Sequence, residues 1–272
     1  MAVRADFHMH SCHSGDGSIP MEEMIRQAVS AGMEWICFTE HQDFDYPAIP
    51  DMPADLFLLD TGAYVRDLLR CREQFAEKIR IGLGVELGLQ PHLAEKHRQY
   101  VRTSQFDFVI ASSHICHRRD PYYPSFYAGR SEEEAYREYF HSVLENIRSF
   151  EEFDVYGHLD YVVRYGPSKD REYTYEAYRD ILDQILLSLV QAGKGLELNT
   201  GGLKQGLREP NPCRAILRRY RALGGEIITV GSDAHTPDAV GYEFDKAAEI
   251  LRDCGFSYYA TFEERTPKYH KL

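Results

Sequence analysis

The chain has 272 residues, enough for one large domain with a substantial core, and α/β barrels commonly reach this size undivided. Its 43 Asp and Glu outnumber 31 Lys and Arg, for a net charge of −12. That balance argues against nucleic acid as a partner, because binding along a polyanion rests on clustered Lys and Arg. A small phosphorylated substrate stays open where metals supply positive charge locally.

In chain order, the first predicted strand covers 3–10 and ends in Asp6-Phe7-His8-Met9-His10. Residues i and i+2 of a strand point the same way, so His8 and His10 can grip one ion. A helix at 20–31 follows, with Met24, Ile25, Ala28 and Val29 on one face, then a strand at 34–41 ending in Glu40-His41. Residues 43–60, with Pro47, Pro50 and Pro53, read as a long loop over a barrel mouth. A helix at 61–78 leads to a strand at 80–87 carrying Gly84-Val85-Glu86, and the strand at 106–114 ends in Ser112-Ser113-His114. A second long loop, 118–130, is rich in Pro and aromatic residues. The helix at 131–150 opens with Ser131 and Glu134 at capping-box spacing. A strand at 154–160 carries Gly157-His158-Leu159-Asp160, and helix 175–192 stops near Gly193. The strand at 195–200 runs into Glu197-Leu198-Asn199-Thr200-Gly201-Gly202. Helix 212–223, a strand at 226–233 ending in Gly231-Ser232-Asp233-Ala234-His235, and a helix at 238–254 complete the series.

Strands alternating with helices argue for a parallel sheet with helices outside, and strands without clean alternation suit burial on both faces. Polar residues fall at the C-terminal end of nearly every strand, where barrel active sites sit. An open sheet would gather its site at one switch point. The expectation is an α/β fold, a closed barrel of about seven parallel strands with helices outside, formed as a single domain over 1–272. Nine side chains at or near the mouth are metal-capable: His8, His10, Asp16, His41, Glu86, His114, His158, Asp233 and His235. Nitrogen and oxygen donors without thiolates suit Zn, Mn or Fe. Nine donors exceed the needs of one ion and fit two or three divalent ions, with Glu86 able to bridge.

The HxH, Glu-His, Gly-Val-Glu, Ser-Ser-His, Gly-His-Leu-Asp and Gly-Ser-Asp-Ala-His segments together resemble the motifs of the polymerase-and-histidinol-phosphatase (PHP) superfamily, from Asp6 to His235. Within it, the length and the 197–202 segment resemble the monofunctional histidinol-phosphatases. The resemblance implies a distorted (β/α)7 TIM-like barrel of the PHP type with a trinuclear centre. His8, His10, Glu86 and Asp233 would hold one metal, Glu86, His114 and His158 a second, and Asp16, His41 and His235 a third, with His13 a competitor of Asp16. It further implies hydrolysis of L-histidinol phosphate in histidine biosynthesis. The expected chemistry is attack on phosphorus by hydroxide generated between two metals.

Arg164 is a candidate phosphate clamp because guanidinium binds phosphate bidentately, and Lys204 is a second. His117, three residues past His114, is expected near the substrate or beside a ligand. Asp233 or His235 is expected to protonate the leaving alkoxide, and Glu40 and Asp160 to back ligands or face substrate. His92, His97 and His141, in helical stretches, and His270, in the tail, read as structural or solvated. The competing assignments are a PHP phosphoesterase for another small ester, a C–N hydrolase on a related barrel, and a non-catalytic PHP module. No strand-end Lys suits a carbamylated centre, and no ligand position is degraded. The first six residues carry no apolar h-region, and no run of about 18 apolar residues exists. The six scattered Cys read as free thiols. A cytoplasmic protein off the membrane is expected, self-association being compatible with it.

Overall fold

The computed structural model describes residues 3–272; Met1 and Ala2, part of the stretch read above for a leader, lie outside the described residues. Strands β1 (Ala5–Met9), β2 (Trp35–Phe38), β3 (His41–Gln42), β4 (Arg80–Gly88), β5 (Phe108–Ser112), β6 (Val155–Tyr156), β7 (Gly195–Asn199) and β8 (Ile228–Gly231) form one parallel sheet. Its order is β1-β2-β4-β5-β6-β7-β8, with β3 also on β4. The helices between them are α1 (Met21–Ser30), α2 (Thr61–Phe75), α3 (Ala94–Thr103), α4 (Glu132–Ser149), α5 (Arg179–Gln191), α6 (Gly201–Lys204), α7 (Arg214–Ala222) and α8 (Phe244–Asp253). Ser131 caps α4 with the reciprocal Glu134 bond anticipated above.

The barrel nearly closes. Past the end of β8, Asp233 N donates to His8 O at 2.8 Å and His10 N to Ala234 O at 2.9 Å. The first and last ligand-bearing segments therefore lie side by side. The barrel is also distorted. The second predicted strand breaks after Phe38, so that His41 pairs with Glu86 in a separate two-residue strand. The fifth shrinks to two residues, because His158 turns the chain out at φ +20° and residues 161–164 form a 3-10 turn. The last helix begins at Phe244 rather than 238; Gly241 and Glu243 both take positive φ, which stops a helix from starting earlier.

Residues beyond Gly255 are no tail. Strands β9 (Tyr258–Glu263) and β10 (Thr266–Lys271) form an antiparallel hairpin that seals the N-terminal end of the barrel. Phe262 packs 4.9 Å from Phe108, which meets Phe7 edge-on at 5.5 Å. His270 belongs to this hairpin and shares a 2.7 Å hydrogen bond with Thr261. With the floor closed, the C-terminal mouth is where side chains meet solvent.

Candidate metal centre

Each strand delivers its ligand-type side chain at its C-terminal end, as the pleat requires for a parallel barrel. Glu86, fully buried on β4, stands at the centre. Its Oε2 lies 3.2 Å from His8 Nε2, 3.5 Å from His10 Nε2 and 3.0 Å from His41 Nδ1. Its Oε1 lies 3.2 Å from His114 Nε2 and 2.8 Å from His158 Nε2. Asp233 Oδ1 is 3.6 Å from the Nε2 atoms of both His8 and His10. Asp16 Oδ2 joins the group from the other side, 3.5 Å from His41 Nε2 and 3.2 Å from His235 Nε2. Backbone geometry aims these groups. Asp233 sits at φ +57°, and a side chain on Gly231 would come within 2.4 Å of His8 Cβ.

The outer nitrogens explain which inner ones are free. His8 Nδ1 meets Glu197 at 2.7 Å, His114 Nδ1 meets Asp43 at 2.8 Å, and His235 Nδ1 meets Asp233 O at 3.1 Å. His10 Nδ1 meets Ser14 Oγ at 3.0 Å, and that hydroxyl donates to Glu40 Oε2 at 2.5 Å. All four partners act as acceptors, so Nδ1 carries the hydrogen and Nε2 presents a lone pair inward. The Nε2 atoms of His8, His10 and His235, together with His41 Nδ1 and Glu86 Oε2, are buried without a hydrogen-bond partner. Buried polar atoms are nearly always satisfied, and orphans converging on common points from several strands are what cations would satisfy. The residues present therefore fit divalent metal. Within this cluster, the triads with donors within 4.8 Å of one another are His8/His10/Asp233, His10/His41/His235, His8/Glu86/His158 and His41/Glu86/His114.

Charge within the cluster follows from burial and neighbours. Burial pushes the Glu86 carboxyl up, but the imidazoles of His8, His114 and His41 outweigh it and hold it well below the usual range. Asp233 is held down in the same way by His8 and Arg164. Burial presses His8 down, yet Glu197, Glu86 and Asp233 lift it well above its ordinary value, a tendency to hold a second proton on Nε2 that a bound cation would displace to reach the lone pair. His10, buried beside His235 and His41, falls well below.

The PHP domain family model matches residues 6–201. The chain belongs to the PHP family. It is 34% identical to the histidinol-phosphatase of Lactococcus lactis subsp. lactis over 95% of this chain and 94% of that protein. It is 29% identical to a probable histidinol-phosphatase of Clostridium acetobutylicum over 97% and 98%. The crystal structure of the Lactococcus lactis histidinol phosphate phosphatase, complexed with Zn, L-histidinol and phosphate, superposes with a TM-score of 0.87, covering 97% of this chain and 98% of that one at 32% identity. The PHP match ends before Asp233 and His235, which β8 nonetheless brings to the same centre.

Around the cluster opens a cavity of about 560 Å³. Arg164 and Lys204 both line it. Arg164 is buried and bonds Asp233 Oδ2 at 2.7 Å, while Lys204 spans to Asp238 at 2.5 Å. Both long loops reach the cavity, 43–60 through Asp43, Tyr46 and Phe57, and 118–130 through Asp120, Tyr122 and Tyr123. Tyr46 hydrogen-bonds Asp120 and links them.

His117 is a correction. It does not line the cavity and is held outside between Glu138 at 3.0 Å and Glu145 at 3.2 Å. A two-residue turn, with His117 and Arg118 both at positive φ, throws it off the strand line. His13 also points away, to Asp67 at 3.1 Å, leaving Asp16 beside His41 and His235. Glu40 accepts from Ser11 and Ser14 and so braces the His10 loop. Three supporting residues were not singled out from the sequence: Glu197 behind His8, Asp43 behind His114, and Asn211 against Arg164. Asp43 follows His41 by two residues and shares its strand alternation, a usable signal; Asn211 had none. All six Cys are free, and no helix of the described residues is long and apolar enough to cross a membrane.

Proposed function

We propose that the chain hydrolyses L-histidinol phosphate to L-histidinol and inorganic phosphate as a single-domain, cytoplasmic, metal-dependent enzyme. The observation that carries this is Glu86: its two oxygens serve two different sets of histidines at the base of a cavity whose wall holds a buried arginine. The reading takes three ions, at His8/His10/Glu86/Asp233, at Glu86/His114/His158 and at Asp16/His41/His235. Zinc, named in the related Lactococcus lactis complex, is the first candidate. When bound, such ions supply an activated water and neutralise phosphate charge.

The chain's own groups do the rest. Glu197, Asp43 and Ser14 orient the imidazoles and fix their tautomers. Arg164 holds phosphate oxygens with its guanidinium, and Lys204 adds a second positive charge at the wall. Asp233, held ionised by His8 and Arg164, has no proton to give, so the proton for the leaving alkoxide is assigned to His235. Tyr46, Phe57 and Tyr161, with Asp43 and Asp120, give the outer cavity the aromatic and acidic surface that an imidazole and an ammonium would meet.

Phosphate release from L-histidinol phosphate, set against a panel of nucleotide and sugar monoesters, tests the assignment. Preferential turnover of histidinol phosphate, lost on chelation and restored by metal, is expected. Preference for another ester overturns the substrate; activity surviving full metal removal overturns the mechanism.

A further inference from the structure

Arg164 is 4% exposed, so its orientation depends on what its five N–H groups find inside the protein. Three are taken: Nε donates to Asn211 Oδ1 at 2.8 Å, Nη1 to Asp233 Oδ2 at 2.7 Å, and Nη2 to Asn199 Oδ1 at 2.7 Å. One N–H on each terminal nitrogen is left over, a two-pronged donor on a residue that lines the cavity.

The Nε bond requires that Asn211 turn its oxygen, not its nitrogen, toward the guanidinium. An amide's shape does not settle that choice; its neighbours do. Asn211 Nδ2 lies 2.6 Å from Asp160 Oδ1, and the other oxygen of Asp160 accepts from Cys213 N at 3.0 Å. Asp160 and Asn211 are each 1% exposed, so a mispaired donor has no water to turn to. The Asn211 backbone is fixed as well, exchanging hydrogen bonds with Asn199 at 3.0 and 2.7 Å. Gly202 completes the seat, since a Cβ there would stand 2.3 Å from Asn211 Oδ1.

We propose that Asp160 is a positioning residue for the phosphate clamp. By dictating the amide orientation of Asn211 it sets the angle at which Arg164 presents its two free N–H groups, a role that rests on the phosphatase assignment above. Asp160 is absent from the cavity wall and acts through Asn211 and Arg164 in turn. An Asp160→Asn substitution cannot offer acceptors to both of its donors. If its oxygen stays on Cys213 N, its NH2 group turns the Asn211 amide over and sets a donor against Arg164 Nε. If its oxygen stays on Asn211, its NH2 group meets the Cys213 N–H. Either arrangement leaves a buried donor facing a donor.

A double-mutant cycle on the metal-loaded protein tests this. Asp160→Asn is expected to lower kcat/KM for L-histidinol phosphate by roughly 10–100-fold, the usual effect of losing an outer support. Inhibition by inorganic phosphate should weaken by a similar factor at unchanged metal content. In an Arg164→Ala background the same substitution should change kcat/KM less than about twofold. Equal losses in both backgrounds, or wild-type kinetics for Asp160→Asn, overturn the proposal. Should that variant not accumulate as folded protein, Asn211→Ser runs the same cycle, since it removes the amide and keeps the backbone pairing. A parent chain that binds inorganic phosphate but hydrolyses no monoester sinks the phosphatase assignment alone, and the cycle is then scored on phosphate binding. A metal-loaded parent that binds no phosphate overturns both.

Discussion

The two ends of the barrel are both lined with charge and use it in opposite ways. At the floor, Asp107 accepts from Arg72 at 2.5 Å, from Leu83 N at 2.9 Å and from Glu264 N at 3.2 Å. Asp154 accepts from Val109 N at 2.8 Å and Arg265 Nε at 2.5 Å. Donors of the protein occupy both oxygens of Asp107 and double up on Oδ2 of Asp154. At the mouth, five nitrogen and oxygen atoms of His8, His10, His41, Glu86 and His235 are buried and unpartnered, each of the four nitrogens lying 3.0–3.6 Å from a carboxylate oxygen of Glu86, Asp233 or Asp16. A saturated network has nothing left to offer a ligand. An unsaturated one that opens on a cavity has donor atoms free to bind cations.

The sharpest way to break this contrast is Glu86→Ala. It removes the carboxylate common to two sets of histidines, so bound metal and phosphatase activity should fall together, activity by on the order of 10³-fold or more. Elemental analysis of the purified variant alongside phosphate release decides the matter; full activity would mean that Glu86 bridges nothing. A milder version acts one layer out. Glu197→Gln leaves the ligands in place but weakens the hold on His8 Nδ1, and should cost about 10–100-fold in metal affinity or activity. Metal titration by competition with a chelator checks it, and an unchanged affinity would reduce Glu197 to packing.

How far this contrast was legible in the sequence depended on local signals. Alternation placed His8 with His10 and Asp233 with His235, and a parallel barrel required the first and last strands to meet, as the Met9–Ala234 bridge does. Asn211 lay in a connecting loop with no spacing to tie it to Arg164, because that contact depends on how α6 and α7 return the chain. His117 looked like a neighbour of His114 until the turn at 116–119 carried it outside. The floor was missed for a different reason. The β9–β10 turn is Glu264-Arg265, both at positive φ, without the Gly or Asn that marks tight hairpins. Tertiary bonds hold it instead: Glu264 N to Asp107, and Arg265 to Asp154 and to Glu152 O.

That anchoring makes the floor testable by stability rather than activity. Arg265→Ala leaves Asp154 buried with its counterion gone, and should destabilise the fold by about 2 kcal/mol while leaving kcat unchanged. The sign of its pH dependence follows from Asp154. Burial holds that carboxyl above its ordinary value, with Arg265 pulling it back. Without Arg265 the folded-state pKa rises further, and a raised carboxyl stabilises the fold when protonated and loses that contribution as pH rises through the folded value. The variant's deficit should therefore be full near pH 7 and shrink on acidification. Urea unfolding of both proteins across that range checks the trend, and a deficit that grew toward acid would contradict it.

His97 sharpens the contrast from the other side, because it is unsaturated without being a site. Both ring nitrogens are buried and unpartnered, yet the ring packs between Phe44 at 5.4 Å and Phe150 at 5.6 Å, with no second donor converging on it. Orphaned atoms mark a metal centre when several share a focus; one among aromatic rings marks a histidine kept neutral. Burial pushes His97 down to about 4, more than the Asp43 charge lifts it. With the folded pKa below the unfolded value of about 6.5, its contribution is complete above that value and is lost as pH falls toward 4. His97→Phe should remove that acid sensitivity. Between pH 7.5 and 5.5 the parent should lose about 1 kcal/mol more than the variant in urea unfolding, the other titrating groups cancelling in the comparison. Equal losses would mean that His97 finds a proton acceptor in the native state and belongs with the saturated groups of the floor.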